Sequence, residues 1–337
     1  MATYPWRSAQ RRYHRHMFSY RHAFHAGNHA DVLKHVMLIA TLRHLMRKNG
    51  PLTLIDTHAG AGIYRLDDRP AQVSGEAQAG IARLQALGER HENPSNRPAT
   101  PDRRVQEAIN IEATALADYL TLVASFNRSV PAGAAWRVYP GSPLLMHALM
   151  TDGARAAVHD RLRLFEMHPT DAVALQAHIE QLGAGRSVSM AQQDGFKALK
   201  ALLPPPAGPG GSRRALVLID PSYEIKSDYA KVAAAVQDSL GRFPTGVYLV
   251  WYPIIARPEA HDLPRRLKTL AQQAGRTWLH ATLHVGVAPG EAGLSASGMF
   301  AINPPHTLAD AMRVALPEVE AALSRGPHAS WTLDSGG

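Results

Sequence analysis

Short apolar runs alternate along the chain with longer stretches whose apolar residues recur every three or four positions, which predicts buried strands interleaved with amphipathic helices. Residues 52–55 and 215–219 are apolar segments of the kind found inside a parallel sheet. Residues 161–165, 187–191, 247–252, 278–285 and 299–302 read as further strands, the last two as an antiparallel pair at one edge. Asn28 is a favoured N-cap, apolar positions follow it at helical spacing, and Asn49-Gly50-Pro51 ends the run, so this stretch reads as a helix. Helices are also predicted over 77–87, 105–126, 144–150, 170–182 and 196–203. The fold class is therefore α/β, a Rossmann-like, doubly wound sheet with helices on both faces.

Residues 66–137 depart from the alternation and read as a small inserted helical subdomain, with a polar loop at 88–104 that holds three prolines. Residues 1–16 have no hydrophobic period and read as a basic, disordered extension, which makes Met17 a second candidate for the start. The Rossmann-like domain is then 17–65 together with 138–331, and 332–337 read as a flexible tail.

With 337 residues and 45% hydrophobic content, the chain can bury a full core. It has no run of about 18 apolar residues to cross a bilayer. Its N-terminus lacks the apolar stretch of a secretory signal, so the cytoplasm is the expected location. The absence of cysteine excludes disulfides, thiolate metal sites and thiol nucleophiles. The formal charge of +8 is unevenly placed: residues 1–48 hold nine Lys or Arg and one acid, Asp31, leaving 27 bases and 27 acids elsewhere. A basic segment on a neutral body predicts a polyanionic partner, because neutralised phosphates release counterions.

The candidate chemistry lies at the strand ends. Asp220-Pro221-Ser222-Tyr223 closes the 215–219 strand, and Asp56-Thr57-His58-Ala59-Gly60-Ala61-Gly62 forms a glycine turn after the 52–55 strand. Asp56, Glu166, Asp194 and Asp220 follow four successive strands of the same sheet, whose carboxyl ends would bring them to one crevice. A carboxylate after the second strand can accept two ribose hydroxyls, and one after the third can accept an exocyclic amine. Gly60 and Gly62 would let the backbone approach a ligand closely. Taken alone, such a glycine turn serves many nucleotides or simply packs a helix on a sheet, and Asp-Pro is often only a turn. The four acids in this order are more specific. His22, His25 and His29 straddle an Ala-Gly stretch with no cysteine to complete a site, so no metal is expected, and His25 reads as a surface or phosphate contact.

That order is the pattern of S-adenosylmethionine-dependent methyltransferases, and Asp220-Pro221-Ser222-Tyr223 resembles the Asp-Pro-Pro-Tyr motif of enzymes acting on adenine N6. Further matching stretches are 19–35 (SYRHAFHAGNHADVLKH), 56–62, 126–129, 139–144, 166–171, 194–196, 251–253 and 295–305 (SASGMFAINPP). On these the chain, from about residue 17 to 331, resembles the bacterial 23S ribosomal RNA adenine-N6 methyltransferases of the RlmJ type. The resemblance implies a class I methyltransferase sheet, with His35, His58, Ser142, Glu166, Asp194 and Gly195 contacting S-adenosylmethionine. It implies Asp220 as the catalytic acid, and residues 19–34 covering the site with Tyr20, His22 and Lys34 near cofactor or substrate. Two departures stand out: Ser222 replaces the second proline, and residues 1–16 precede the family's usual start.

Adenine N6 is a poor nucleophile, because its lone pair is delocalised into the ring. Asp220 and the Pro221 carbonyl could each accept one N6 hydrogen, and Tyr223 could stack on the base. The expected partner is 23S ribosomal RNA, as a hairpin or irregular helix from which one base is flipped. A monomer, no membrane and no metal are expected. A DNA adenine-N6 methyltransferase and a noncatalytic RNA-binding assembly factor remain as alternatives. So do plainer roles: Lys34 as a helix-surface lysine, Ser142 as the cap of a helix starting at Pro143, Tyr223 as a core aromatic, and Trp251-Tyr252-Pro253 as strand-end packing.

Overall fold

A computed structural model describes residues 20–85, 114–207, 212–287 and 293–337. The extension 1–16, the loop 88–104 and the first part of the helix expected at 105–126 lie outside the described residues. The strands are β1 (Thr53–Asp56), β2 (Ile63–Arg65), β3 (Val138–Pro140), β4 (Arg161–Phe165), β5 (Val188–Ala191), β6 (Ala215–Ile219), β7 (Val247–Pro253), β8 (Trp278–His284), β9 (Ala296–Ile302) and β10 (Ser330–Gly336). Eight of them make one sheet in the order β10-β8-β9-β7-β6-β1-β4-β5.

Strands β5, β4, β1, β6 and β7 run parallel, while β9 and then β8 and β10 join through antiparallel pairs. All five residues of β6 are buried, as expected for a strand covered on both faces. From β1 the chain moves outward through β4 and β5, then crosses back to β6 and β7. The strand order therefore reverses between β1 and β6, and at such a point a crevice opens beyond the carboxyl ends. Hydrophobic clusters fill both faces, one centred on Leu33, Met37 and Leu218, the other on Val217, Val232 and Leu263.

The helix His29–Met46 occupies the centre of one layer. Asn28 caps it, its side chain accepting from the Ala30 and Asp31 amides. Thirteen of its 18 residues are buried, because it lies between β7–β9 and the helices Ala115–Ser125 and Leu308–Leu323. Lys34 is thus an interior residue at 5% exposure, not a surface lysine. At the foot of the helix Arg155 donates to the carbonyls of Met46 (3.3 Å) and Lys48 (2.7 Å) and pairs with Asp160. Arg214 donates to those of Leu45 and Gly50. These two guanidiniums satisfy carbonyls that a helix end leaves without intrahelical partners.

β2 and β3 pair antiparallel, Tyr64 opposite Tyr139, at the base of the inserted stretch. The helix expected at 77–87 is broken at Gly80, where a Cβ would lie 2.1 Å from the Gly27 carbonyl oxygen. The Ile81 amide instead donates to that oxygen (2.8 Å). Helix Ala115–Ser125 contributes Leu116, Tyr119, Leu120 and Val123 to the main core.

The tail expected at 332–337 is a correction: it belongs to β10, which pairs with β8 from Ser330 to Gly336. Trp331 and Leu333 alternate onto the core, and the hydroxyls of Thr282 and Thr332 meet at 2.7 Å. β8 and β9 are antiparallel as expected, but the edge is β10. The helices Ser227–Arg242, Pro258–Gln273 and Leu308–Leu323 were not assigned from the sequence; Pro264 and Pro317 stand inside the last two, where proline removes an amide donor.

Candidate active site

A cleft of about 540 Å³ opens on the carboxyl rim of the parallel strands, within the ~300–1,000 Å³ range of small-molecule sites. Glu166, Asp194 and Asp220 all line it. Asp56 does not: it is fully buried, accepting from the Ser142 hydroxyl (2.6 Å) and the His58 amide (3.2 Å). Desolvation pushes its carboxyl up to about 7, against the pull of those two donors. Ser142 is likewise not the helix cap, which is Gly141; its hydroxyl is committed to Asp56.

On the β1, β4 and β5 side the cleft wall is built from backbone as much as side chain. Gly60 adopts φ +62, and a Cβ there would fall 2.1 Å from the Tyr64 hydroxyl, so only glycine fits. Its amide donates to Glu166 Oε2 (2.8 Å) while the His168 amide donates to Oε1 (2.6 Å), which fixes the carboxylate and leaves each oxygen a second lone pair. Desolvation raises Glu166, and the two amides only partly counter it. Asp194 caps the helix Gly195–Leu202 through Oδ1, accepting from the Phe196 and Lys197 amides. His58 stands edge-on to Phe196 at 4.8 Å.

Two of the glycines expected near the ligand also serve packing. Gly195 is absent from the wall; its missing Cβ, which would meet the Thr57 carbonyl oxygen at 2.2 Å, lets the helix seat against the β1 turn. Gly62 faces Leu144 and Leu175.

On the β6 and β7 side the wall carries Asp220, Pro221 and Tyr223. Lys34 Nζ reaches Asp220 Oδ2 at 2.5 Å and Asp31 Oδ1 at 2.8 Å. Desolvation would discharge Lys34, but Asp220 and Asp31 outweigh it and raise its pKa, so the ammonium stays charged. Asp31, which sequence reading passed over as one acid in a basic segment, is the hub. It also accepts from His22 Nε2 (2.9 Å) and the Gly27 amide (2.9 Å), and its pKa lies well below the usual carboxylate range because His22 and Lys34 overcome its burial. The Tyr20 hydroxyl lies 2.8 Å from His22 Nδ1. Tyr20, His22 and Lys34 therefore form one hydrogen-bonded chain ending on Asp220.

Tyr223 takes part in both settings weighed for it. It lines the cleft, yet it is 2% exposed, with φ +54 and its hydroxyl donating to the Trp251 carbonyl (2.7 Å). Arg257, half-buried on the same side, donates to the Tyr223 carbonyl at 3.4 Å, and no carboxylate pairs with it among the described residues. His25 is partly exposed on the cleft wall, where it bonds Glu76 (2.9 Å) and stacks on Tyr20. Among the described residues no group of three or more His, Asp or Glu is arranged to hold a metal ion. No helix among them is long and apolar enough to cross a membrane.

Three desolvated imidazoles, His29 and His35 in the interior and His58 on the cleft wall, give the fold an acid sensitivity. Desolvation lowers His29 to about 4, His35 to about 3 and His58 to about 3, with further push from Arg325, Lys34 and Lys231 respectively. Each is neutral in the fold but protonates near 6.5 in the unfolded chain, so each withdraws about 1.4 kcal/mol per pH unit as pH falls below that value. Asp56 and Glu166, raised instead, act in the opposite sense and moderate the loss. The urea midpoint is expected to drop from pH 6.5 to 5, with a shallower slope in His58→Gln.

A parallel core reversing between β1 and β6, with acids and a glycine turn on its carboxyl rim, marks the chain as a class I methyltransferase. Its sequence fits one family. The model described as "Ribosomal RNA large subunit methyltransferase D, RlmJ" matches residues 49–96 and 102–334, and the chain belongs to that family. It is 37% identical over 307 residues to "Ribosomal RNA large subunit methyltransferase J" of Escherichia coli K12, covering 91% of this chain and 94% of that protein. The Haemophilus influenzae protein of the same description is 35% identical over 318 residues, covering 94% and 98%. The crystal structure of protein LPL1258 from Legionella pneumophila superposes with a TM-score of 0.71 at 29% identity, covering 93% of this chain and 98% of that one.

Proposed function

We propose that this protein transfers the methyl group of S-adenosylmethionine to the exocyclic N6 of one adenine in 23S ribosomal RNA. The observation that carries the reading is that Asp220 shares a single cleft with Glu166 and Asp194 across the reversal point of the sheet. The cofactor supplies a methyl group already activated on a sulfonium. Two features of the wall fit it: the second lone pairs of Glu166 suit ribose hydroxyls, and Asp194 suits an exocyclic amine. His35 Nε2 is a buried polar atom with no partner beside the cleft, and His58 and Ser142 complete that wall.

Asp220 Oδ1 and the Pro221 carbonyl would accept the two N6 hydrogens, favouring a more tetrahedral nitrogen whose lone pair faces the donor; as N6 takes the methyl group, S-adenosylhomocysteine is released and one N6 proton passes through Asp220 to solvent. Tyr223, buried and held by its hydroxyl, steadies the turn that carries Asp220 and Pro221 and offers the base no free face to stack on. Alignment of the two reactants supplies about 7–11 kcal/mol in well-oriented systems. The adenine must leave its stack at a cost of a few kcal/mol, least in a hairpin or irregular helix, which is the RNA form we assign to it. Tyr20, His22 and Lys34 close the base side. The protein acts as a cytoplasmic monomer on this reading, and the Ser222 substitution leaves the two acceptors in place.

Incubation with methyl-labelled cofactor and either protein-free 23S ribosomal RNA or duplex DNA, followed by mass spectrometry of the nucleosides, tests this directly. N6-methyladenosine in the RNA is expected; label only in DNA, or no cofactor binding by titration, overturns it. Arg257, on the side where RNA must enter, is expected to contact a phosphate. Arg257→Ala should weaken RNA binding and lower the slope of log K against log salt by about one, which binding isotherms across salt concentrations measure.

A further inference from the structure

We propose that Tyr119 and Tyr139 fix the tautomer of His35, so that its Nε2 carries the proton and donates to the carboxylate of the bound cofactor's methionine part. This rests on the reading that the cleft takes S-adenosylmethionine. The three side chains stand in line. The Tyr119 and Tyr139 hydroxyls are 3.1 Å apart, the Tyr139 hydroxyl is 2.7 Å from His35 Nδ1, and all three residues are at most 1% exposed. Their burial keeps bulk solvent from these hydroxyls, so the direction of each hydrogen bond follows from counting protons.

The imidazole is neutral, because desolvation and the Lys34 charge push it down to about 3. Two hydroxyl protons and one ring proton must then be placed on two contacts. If Tyr119 donates to Tyr139 and Tyr139 donates to Nδ1, both hydroxyls are satisfied and the ring proton is on Nε2. If the order is reversed, Nδ1 donates to Tyr139 and Tyr139 to Tyr119, whose own proton then has no acceptor; Tyr119 has no other side-chain hydrogen bond among the described residues. If both neighbours donate to Tyr139, its proton is stranded instead. Every order leaves one proton without an acceptor, but the other two strand a buried hydroxyl, at about 1–3 kcal/mol, and also leave the Nε2 lone pair unmet, whereas the first leaves only the Nε2 proton unpaired, so the first order prevails.

One donor is left over. Nε2 is buried without a partner on a residue that lines the cleft, as do Gly141 and Ser142 at the start of the helix Ser142–Met150. An N–H beside the open amides of a helix N-terminus makes a corner of hydrogen-bond donors. An anionic oxygen completes it, and an ammonium or an aromatic edge does not. Within the cofactor that group is the carboxylate. Tyr119 comes from the inserted stretch, so the insertion acts on the cofactor through two hydroxyls without touching it.

The test is nitrogen-15 NMR of imidazole-labelled protein, with His35 assigned by its loss in His35→Gln, alongside calorimetric titration with S-adenosylmethionine. In the wild type His35 is expected as the Nε2–H form before ligand is added. Tyr139→Phe, which keeps the ring packing, should abolish the tautomer preference and weaken binding about tenfold, and Tyr119→Phe should weaken it less. An Nδ1–H form in the wild type, or unchanged affinity in Tyr139→Phe, overturns the proposal while leaving the cofactor reading intact. An Nε2–H form in a protein that does not bind S-adenosylmethionine removes the assigned ligand, and with it the reading of the cleft.

Discussion

Asp220→Asn is expected to lower single-turnover methylation by about 10²–10³-fold, the range seen when one preorganised group at a reacting centre is removed, with cofactor affinity unchanged. The amide keeps the shape of the carboxylate but weakens the acceptor, and its NH₂ can place a donor where the substrate amine also donates. Lys34 magnifies the defect. Its charged ammonium lies 2.5 Å from Oδ2 in the wild type, and the side chain that replaces the carboxylate can meet it only with its carbonyl oxygen, turning the NH₂ toward the incoming base. Rapid-quench assays with labelled cofactor, with titration calorimetry run in parallel, separate the two effects. Near wild-type transfer by Asp220→Asn would sink the assignment of Asp220 as the catalytic acid.

The largest expected effect on stability comes from the same pair. Lys34→Met leaves two enclosed carboxylates without their shared cation, Asp31 at 2% side-chain exposure and Asp220 at 13%, and breaking a buried ion pair in this way costs about 3–5 kcal/mol. The pH window follows from the directions of the shifts. Asp31 is depressed in the fold, so its contribution is present above its unfolded value near 3.9 and is lost as pH falls through the folded value. Lys34 is raised, so its contribution is present below about 10.4 and is lost as pH rises through the folded value. In urea unfolding the deficit of Lys34→Met should be full at about pH 7–9 and shrink as pH falls toward about 5, because two neighbouring enclosed carboxylates without their cation take up a proton more readily.

Much of the scaffold was legible because the physics that forms it is local. The apolar run 215–219, the Asn28 cap and the strand 161–165 appear where their residues place them. The acids at the strand ends were legible as a set, since a parallel sheet carries every such residue to one rim. Asp56 shows the limit: a hydroxyl 86 positions away, on Ser142, claims it, and nothing in either residue's neighbourhood announces the pairing. Lys34 misled for a related reason. A lysine on a helix reads as exposed until two later helices and three strands are known to cover that helix on all sides. β10 was hidden by its mixed polar composition, because an edge strand needs only every second side chain to be apolar.

The helix His29–Met46 is fastened at its head by the Asn28 cap and Asp31 and at its foot by Arg155 and Arg214. It behaves as a beam built in at both ends, about 27 Å long at 1.5 Å per residue, with Lys34 near one support. Under the proposed function, a nucleotide meeting that ammonium would encounter stiffness instead of a yielding arm, and a mutation at the remote arginines should blur selection by fit without touching the rim.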